Sequence, residues 1–223
     1  MSTIYKMHLN QKTTDLAINS CFCVGYSGRD KQQALKHVEE LAELGVPKPQ
    51  EIPALFPLRN SSVTHDSMIE VIGGESTGEA EIVFIFGDSV DEVYVTVGSD
   101  HTDRSLETVD INKSKQVCDK PFAKRAWLLD DLLNHWDELE LASYILVNQQ
   151  WEPYQRESVQ KILHPTDVIE FLKKKQIPLK HSIVFAGTVP LLNGFKQGSK
   201  FLMKLIDPVK NDEISTEYEI KNL

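Results

Sequence analysis

Carboxylate side chains at the edges of two apolar runs are the residues in this sequence best suited to chemistry. Glu79 and Glu81 lie two positions apart at the start of one run, and Asp100 directly follows the next run. Because side chains alternate along a strand, Glu79 and Glu81 are expected on one face. Oxygen ligands of this kind suit hard cations such as Mg²⁺, Ca²⁺ or Mn²⁺. On this pattern alone, a solvated acidic face is the commoner outcome.

A polar turn follows the second apolar run and contains several groups that could take part in chemistry. In GSDHTDRSLE, Asp100 is followed by His101, Asp103 and Arg104. Functional side chains often collect where a rigid strand passes into a loop. The alternatives are structural: Asp100 or Asp103 could cap the next segment, and Arg104 could form an ion pair with a carboxylate.

The elements that must position these groups are mainly strands. Apolar or alternating runs bounded by Gly, Ser and Asp predict strands in the segments CFCVGY (21–26), MIEVIGG, EAEIVFIFG, DEVYVTVGSD, SYILVN, SIVFAGTV and KFLMKLIDPV. The sequence contains no repeat and no obvious linker, so we predict one domain spanning residues 1–223.

Three further segments are predicted to be helices or irregular chain. Residues 30–45 carry apolar side chains at helical spacing, with Asp30 as a candidate N-cap and Gly45 as the terminator. FAKRAWLLDDLLNHWDEL also has helical spacing. The proline-rich segment 46–62 is predicted to be extended surface chain, because proline is excluded from helix interiors and central strands.

Composition and charge narrow the class of protein. Hydrophobic residues make up 41% and charged residues 26% of the sequence, and no window is apolar enough to span a membrane. A net charge of -9 disfavours nucleic acid as a partner. The polar N-terminus lacks signal-peptide features, so we expect a cytoplasmic protein. Cys21, Cys23 and Cys118 form no CxxC pair, which argues against a disulfide framework or a zinc knuckle.

Several segments, taken in order, resemble the fumarylacetoacetate hydrolase family. They are CVGYSGRD, EAEIVFIFG with its Glu-x-Glu strand, the turn GSDHTDRSLE, Lys115, Asn148 and FAGTVPLLNGFKQGSKFLMKLI with its Gly-Thr-x-Pro loop. The resemblance covers nearly the whole chain, and the order of the landmarks is more specific than any one of them. The chain is most similar to a small, functionally unassigned set of members that share the string GSDHTDR.

This resemblance implies a fold, a cofactor and a substrate class. The fold would be mainly β with peripheral helices (α+β), a mixed β-sandwich or roll, and the protein would be a homodimer. Glu79, Glu81 and Asp100 would bind Mg²⁺, with Mn²⁺ or Ca²⁺ as alternatives. The substrate would be a small oxo-acid, an acylpyruvate or a 1,3-dicarbonyl acid, whose carbon–carbon bond is hydrolysed. Decarboxylation or tautomerisation at the same site is the alternative.

The resemblance also suggests roles for other side chains. Lys115 would add positive charge near the metal as a catalytic group, and Thr188 and Arg104 would bind substrate. The alternative for Lys115 is an exposed surface lysine beside Lys113 and Lys120.

The water-activating residues of the family are not matched directly. Lys31 stands where the family has a histidine, and six residues later His37 and Glu40 supply a His-x-x-Glu pair that shares one helix face. His101 is a second candidate base. If neither acts, the protein would be a non-catalytic binder of metal and a small acid.

Overall fold

The computed structural model describes residues 2–9, 12–43 and 45–223, with the side chains of Gln33, His37 and Leu41 left outside the description. The strands are β1 Thr3–Leu9, β2 Lys12–Ile18, β3 Ser20–Gly25, β4 Ala54–Leu58, β5 Val63–Thr64, β6 Met68–Val71, β7 Ser76–Thr77, β8 Ala80–Phe86, β9 Val93–Ser99, β10 Thr102–Asp103, β11 Lys120–Pro121, β12 Arg125–Leu128, β13 Glu140–Val147, β14 Gln150–Ser158, β15 Ser182–Thr188, β16 Lys200–Asp207 and β17 Asp212–Asn222. The α-helices are α1 Lys31–Glu43, α2 Arg104–Glu107, α3 Ile111–Gln116 and α4 Pro165–Lys174, and the 3-10 helices are Asn60–Ser62, Leu129–Asp131, Leu133–Glu138 and Val159–Lys161.

Two mixed sheets carry most of this structure. The larger has eight strands in the order β2-β1-β12-β9-β8-β15-β3-β4, and the smaller has five in the order β14-β13-β16-β17-β6. Most neighbouring strands are antiparallel, but β1 runs parallel to β12, β15 runs parallel to β3 and β17 runs parallel to β6. The prediction of a mainly β fold with peripheral helices is therefore confirmed.

Strand β8 separates two apolar cores. Ile82, Phe84 and Phe86 point into the larger core, which also contains Phe201 and other residues of the five-stranded sheet. Val83 and Ile85 point to the opposite face and join a smaller core, which includes both Cys21 and Cys23. All seven residues of β8 are buried, so the alternation of strand side chains decides which core each one enters.

The first predicted helix is confirmed as α1. The Asp30 carboxylate accepts a hydrogen bond from the Gln32 backbone N–H at 2.9 Å, as expected for an N-cap. Ala34 and Val38 are its buried residues among those described. In the part of the chain that the structure describes, no helix combines the length and apolarity needed to cross a membrane.

The predicted helix in FAKRAWLLDDLLNHWDEL is wrong. The segment forms strand β12, which pairs with β9 and β1, followed by two 3-10 helices. Ala126 enters the smaller core and Trp127 the larger, as alternation in a strand requires. Leu129, Leu132 and Trp136 are buried in the region of the two 3-10 helices. Because 3-10 turns bring residues i and i+3 to one side, the spacing of these apolar residues resembles that of an α-helix.

The proline-rich segment contains a short strand at the margin of the eight-stranded sheet. β4 is the last strand in the sheet order, and Pro57 lies within it. An edge position leaves the missing N–H of Pro57 without consequence for the sheet. β4 contributes to the surroundings of the acidic residues through Phe56, described below.

Candidate functional site

The pairing of β8 with β9 places the three predicted carboxylates on one face of the sheet. Glu81 lies opposite Gly98, and the Asp100 N–H donates to the Glu79 carbonyl oxygen at 3.0 Å. Directly opposed residues in an antiparallel pair project to the same side. This is the face of Val83, so the acidic residues occupy the end of the smaller core.

Each carboxylate is held by a group of the chain itself. An Arg104 Nη donates to Glu79 at 3.0 Å, and the Gly187 backbone N–H donates to Glu81 at 3.0 Å. The Lys115 ammonium forms a short hydrogen-bonded ion pair with Asp100. Asp100 is fully buried and Glu81 nearly so, which makes these contacts necessary rather than incidental.

The carboxyl groups of Asp100 and Glu81 respond to this environment in opposite directions. Burial acts to raise the pKa of Asp100, but the charges of Lys115 and Lys120 outweigh it and hold that pKa below its ordinary value. Burial raises the pKa of Glu81 well above its ordinary value, and the charges of Asp100 and Glu79 add to the effect. The negative charge of Asp100 is thus stabilised by the two lysines, and it makes ionisation of the neighbouring Glu81 less favourable.

The donor set fits a hard divalent cation in the chemistry of its ligand atoms. Three carboxylates share a face and a strand end, which suits Mg²⁺ or Mn²⁺. As arranged, however, the described residues include no group of three or more His, Cys, Asp or Glu side chains close enough to hold an ion. The contacts above give the reason: Glu79 and Asp100 are each directed to a cationic side chain of the protein. A metal could be held only if at least one of these pairs opened.

Lys115, predicted to lie near the metal, is brought to the carboxylates by the short helix α3. Asp110 caps this helix by accepting from the Lys113 N–H at 2.9 Å. The Lys115 ammonium lies 5.8 Å from the centre of the Phe56 ring on β4. Burial acts to lower the pKa of Lys115, but the Asp100 charge outweighs it and raises that pKa. The alternative of an exposed surface lysine is excluded for Lys115, which is 7% exposed.

Lys120 was not among the residues predicted from the sequence. This side chain is fully buried, and its ammonium lies 3.5 Å from Asp100 Oδ1. It donates to the carbonyl oxygens of His101 at 2.6 Å and Cys118 at 3.0 Å, and also to that of Lys115. The available signal was the apolar run PFA directly after it, which indicates that the chain turns inward at this point.

Arg104, predicted to bind substrate, is occupied by contacts within the protein. Besides Glu79, it donates to Thr77 Oγ1 at 2.8 Å and to Glu107 at 3.0 Å. The Phe195 ring covers it, with 4.3 Å between the guanidinium carbon and the ring centre. These contacts match the alternative interpretation, in which Arg104 pairs with carboxylates to stabilise the structure.

A cavity of about 460 Å³ is lined in part by Arg104, the residue that donates to Glu79. The lining residues are Glu75, Thr77, Arg104, Phe195 and Gln197. Its size falls within the range of about 300–1,000 Å³ common for small-molecule sites.

Thr188, the other predicted substrate contact, lies at the same strand end. Its hydroxyl donates to the Ala80 carbonyl oxygen at 2.7 Å and accepts from Gln155 Nε2 at 2.7 Å. Gln155 also accepts from the Ala80 N–H at 2.9 Å. Thr188 therefore lies beside Glu81, with which it pairs on β8. The Thr188 hydroxyl, however, is already hydrogen-bonded to Ala80 and Gln155.

His101 is adjacent to Asp100 but points to other partners. Its Nδ1 lies 2.8 Å from the hydroxyl oxygen of Tyr218, which belongs to the larger core. Its Nε2 has no hydrogen-bond partner among the described residues. Burial lowers the pKa of His101 to about 3, with Lys120 and Arg104 adding to the effect. The imidazole is therefore neutral at physiological pH.

The predicted His37–Glu40 pair is only partly described. Both residues belong to α1, but the side chain of His37 lies outside the described residues. Glu40 is exposed, and its Oε1 lies 3.5 Å from Lys36 Nζ. The proposed dyad stays a prediction.

The chain matches one family model and has the same fold as several solved structures. Residues 24–218 match a family model described as "Protein of unknown function (DUF2848)". No curated protein matches. Among solved structures, the chain is similar to a fumarylpyruvate hydrolase from Pseudomonas aeruginosa in complex with Mn²⁺ and pyruvate, at 16% identity and a TM-score of 0.63, covering 100% of this chain and 97% of that one.

Two further solved structures have the same fold. One is 2-keto-3-deoxy-D-arabinonate dehydratase complexed with magnesium and 2,5-dioxopentanoate, at 14% identity and a TM-score of 0.66, covering 96% of this chain and 77% of that one. The other is a candidate fumarylacetoacetate isomerase/hydrolase from Oleispira antarctica, at 18% identity and a TM-score of 0.62, covering 96% and 99%. The resemblance seen in the sequence is confirmed at the level of the fold.

Proposed function

The chain belongs to the DUF2848 family, whose function is unassigned, and we propose that it is a metal-dependent enzyme acting on a small oxo-acid. The observation that carries the proposal is the shared face of Glu79, Glu81 and Asp100 at the end of β8 and β9. Support comes from solved structures of the same fold that hold Mn²⁺ with pyruvate or magnesium with 2,5-dioxopentanoate.

The three carboxylates would hold Mg²⁺ or Mn²⁺, which would supply Lewis-acid polarisation of the substrate's 2-oxo group. The remaining steps belong to the chain. The cavity beside Arg104 would receive the substrate, with Phe195 limiting access of water. Lys115 would supply positive charge for the substrate carboxylate. Arg104, through its bonds to Glu79 and Thr77, would fix the position of the Glu79 carboxylate.

The reaction we propose is hydrolysis of a carbon–carbon bond in an acylpyruvate or related 1,3-dicarbonyl acid. Water adds to the acyl carbonyl, the bond to the neighbouring methylene carbon breaks, and that carbon takes a proton, which yields a carboxylic acid and pyruvate. His37 would accept the proton of the attacking water, with Glu40 orienting the imidazole. Thr188, beside Glu81, remains our candidate for a contact with the substrate carboxylate.

The test is turnover of a panel of acylpyruvates and oxaloacetate with Mg²⁺, with pyruvate and carbon dioxide measured separately. We expect pyruvate from the acylpyruvates and a loss on the order of 100-fold in Glu79→Gln and in His37→Ala. Glu70→Gln is the matched control, because Glu70 is an exposed carboxylate that pairs with Lys221 at 2.8 Å. It should retain full activity.

Other results would redirect the proposal. Carbon dioxide released from oxaloacetate, with no cleavage of acylpyruvates, would indicate a decarboxylase. Metal-dependent binding across the panel without turnover would indicate a non-catalytic binding protein. In that case Glu40, which forms an exposed ion pair with Lys36, would have no part in activating water. Absence of any Mg²⁺-dependent change in ligand binding or thermal stability would refute the proposed metal site.

Three predictions from the sequence accompany this proposal. We expect a single domain over residues 1–223, a homodimer in solution and a cytoplasmic location. Sedimentation velocity over a range of concentrations tests the second, and limited proteolysis tests the first.

A further inference from the structure

Lys115 lies where a metal ion would have to bind Asp100. Its ammonium contacts Asp100 Oδ2, the side chain is 9% exposed, and Asp100 is fully buried. An ammonium and a divalent ion at the same carboxylate oxygen repel each other strongly, because little solvent screens charges at this buried position. The two cations are therefore alternatives at this atom.

The neighbouring cations differ from Lys115 in how firmly they are held. Lys120 is fixed by three backbone carbonyl oxygens, and Arg104 is fixed by Thr77, Glu79 and Glu107. Lys115 is held by its ion pair with Asp100 and lies near the Phe56 ring. Because an unbranched ammonium side chain has several rotatable bonds, Lys115 is the cation best able to move.

On the basis of the proposed function, we propose that Lys115 is an exchangeable cation: it occupies Asp100 in the metal-free protein, is displaced when a divalent ion binds, and then contacts the substrate's carboxylate. Metal loading and formation of the anion site are thus one event. The protein keeps Asp100 paired in either state, which avoids the cost of an unpaired buried charge.

The exchange has two consequences of opposite sign. The ion must compete with the ammonium, so removal of the ammonium should strengthen metal binding. The displaced ammonium helps to bind an anion, so its removal should weaken anion binding to the metal-loaded protein. A lysine that only stabilises the fold, and whose charge does not act at this site, would produce neither effect.

The test compares wild type with Lys115→Met, in which an unbranched side chain of similar length lacks the charge. Lys113→Met is the matched control, since Lys113 is exposed on the same helix and pairs with Asp110 at 3.1 Å. Mn²⁺ binding is followed by calorimetry and by electron paramagnetic resonance. Oxalate is then titrated into the Mn²⁺-loaded proteins.

We expect Lys115→Met to bind Mn²⁺ about tenfold more tightly than wild type and to bind oxalate about tenfold more weakly, each equivalent to about 1.4 kcal/mol. Lys113→Met should match wild type in both titrations. If Lys115→Met fails to fold by circular dichroism, Lys115→Gln carries the same expectations.

The outcomes separate this inference from the proposed function. Equal or weaker Mn²⁺ binding by Lys115→Met, with normal binding by wild type, would overturn the exchange and leave the metal site standing. Tighter Mn²⁺ binding with unchanged oxalate affinity would overturn the anion-binding half. Absence of Mn²⁺ binding in wild type and in both Lys115 variants would overturn the metal site and the exchange together.

Discussion

The two faces of strand β8 are both buried, yet they are stabilised by different means. Ile82, Phe84 and Phe86 enter an apolar core shared with the five-stranded sheet. The other face changes from apolar residues to Glu81 and, just beyond the strand, Glu79. The apolar face depends on volume and close packing, whereas the charged end depends on particular partners. The contrast teaches that burial alone does not predict which substitutions a position tolerates.

The largest loss of stability is expected on the apolar face. Phe84→Ala should lower the free energy of unfolding by about 3–5 kcal/mol, because Phe84 is 1% exposed and its removal leaves a cavity. Urea denaturation measures the change. Ile72→Ala, at an 82% exposed position, should change stability by less than about 0.5 kcal/mol. Similar losses in the two variants would remove the basis of the comparison.

Lys120 tests the charged end through loss of partners rather than of volume. Lys120→Met should cost about 3 kcal/mol, because three buried carbonyl oxygens would lose their donor and Asp100 would lose one of its two neighbouring lysine charges. The exposed Lys124→Met is the control and should be near neutral. A Lys120→Met protein as stable as wild type in chemical denaturation would show that packing, not pairing, stabilises this end.

Substitution of Gly187 tests the backbone segment whose N–H donates to Glu81. Its φ of +139° is a conformation that L residues rarely adopt, and an added Cβ would lie 2.1 Å from Ser27 Oγ. Gly187→Ala should therefore cost about 1–3 kcal/mol. Adding Ser27→Ala removes the closest contact but leaves Ile162 Cγ2 at 2.7 Å and the backbone strain, so thermal denaturation should show partial recovery. Full recovery in the double variant would assign the whole cost to the clash.

At His65 the expected effect is a pH dependence of stability, which appears only as the pH falls below 6.5. Burial, with the charge of Lys124, lowers the pKa of His65 to about 4 from an ordinary value of 6.5. The unfolded chain therefore binds this proton more readily, so the contribution of His65 to stability is present above pH 6.5 and is lost as the pH falls towards 4. His65→Phe should flatten the decline in unfolding free energy over this window.

The control for this experiment is Phe84→Ala, which removes no titratable group. An unaltered profile in His65→Phe would mean that other groups produce the decline. Phe84→Ala should lower stability equally at all these pH values, which distinguishes the apolar core from its titrating surroundings.

The sequence predicted best what depends on local alternation. Glu79 and Glu81 share a face because strand geometry requires it, and α1 follows from helical spacing. It failed where tertiary contacts decide the conformation: the segment around Trp127 forms a strand because β9 and β1 are available on either side.

Long-range partners were also out of reach of the sequence. Nothing in the spacing distinguishes a lysine that reaches a buried carboxylate from one in solvent, so Lys120 was missed and Lys115 was left with two readings. Likewise, alternation could not show that Arg104 has three acceptors, because Thr77 and Glu79 lie far from it along the chain. The His37 pair and the single-domain assignment stay predictions.

The bonds of Lys120 make residues 100–120 a closed loop. Its ammonium joins the end of this segment to its beginning, at Asp100 and the His101 carbonyl, and to two carbonyls within it. Because the last residue of this loop contacts its first residues, the loop has a fixed length, and an insertion or deletion inside it would break the contacts of Lys120. Among related proteins, length variation should therefore fall outside this segment, and the segment should be portable between them as one piece.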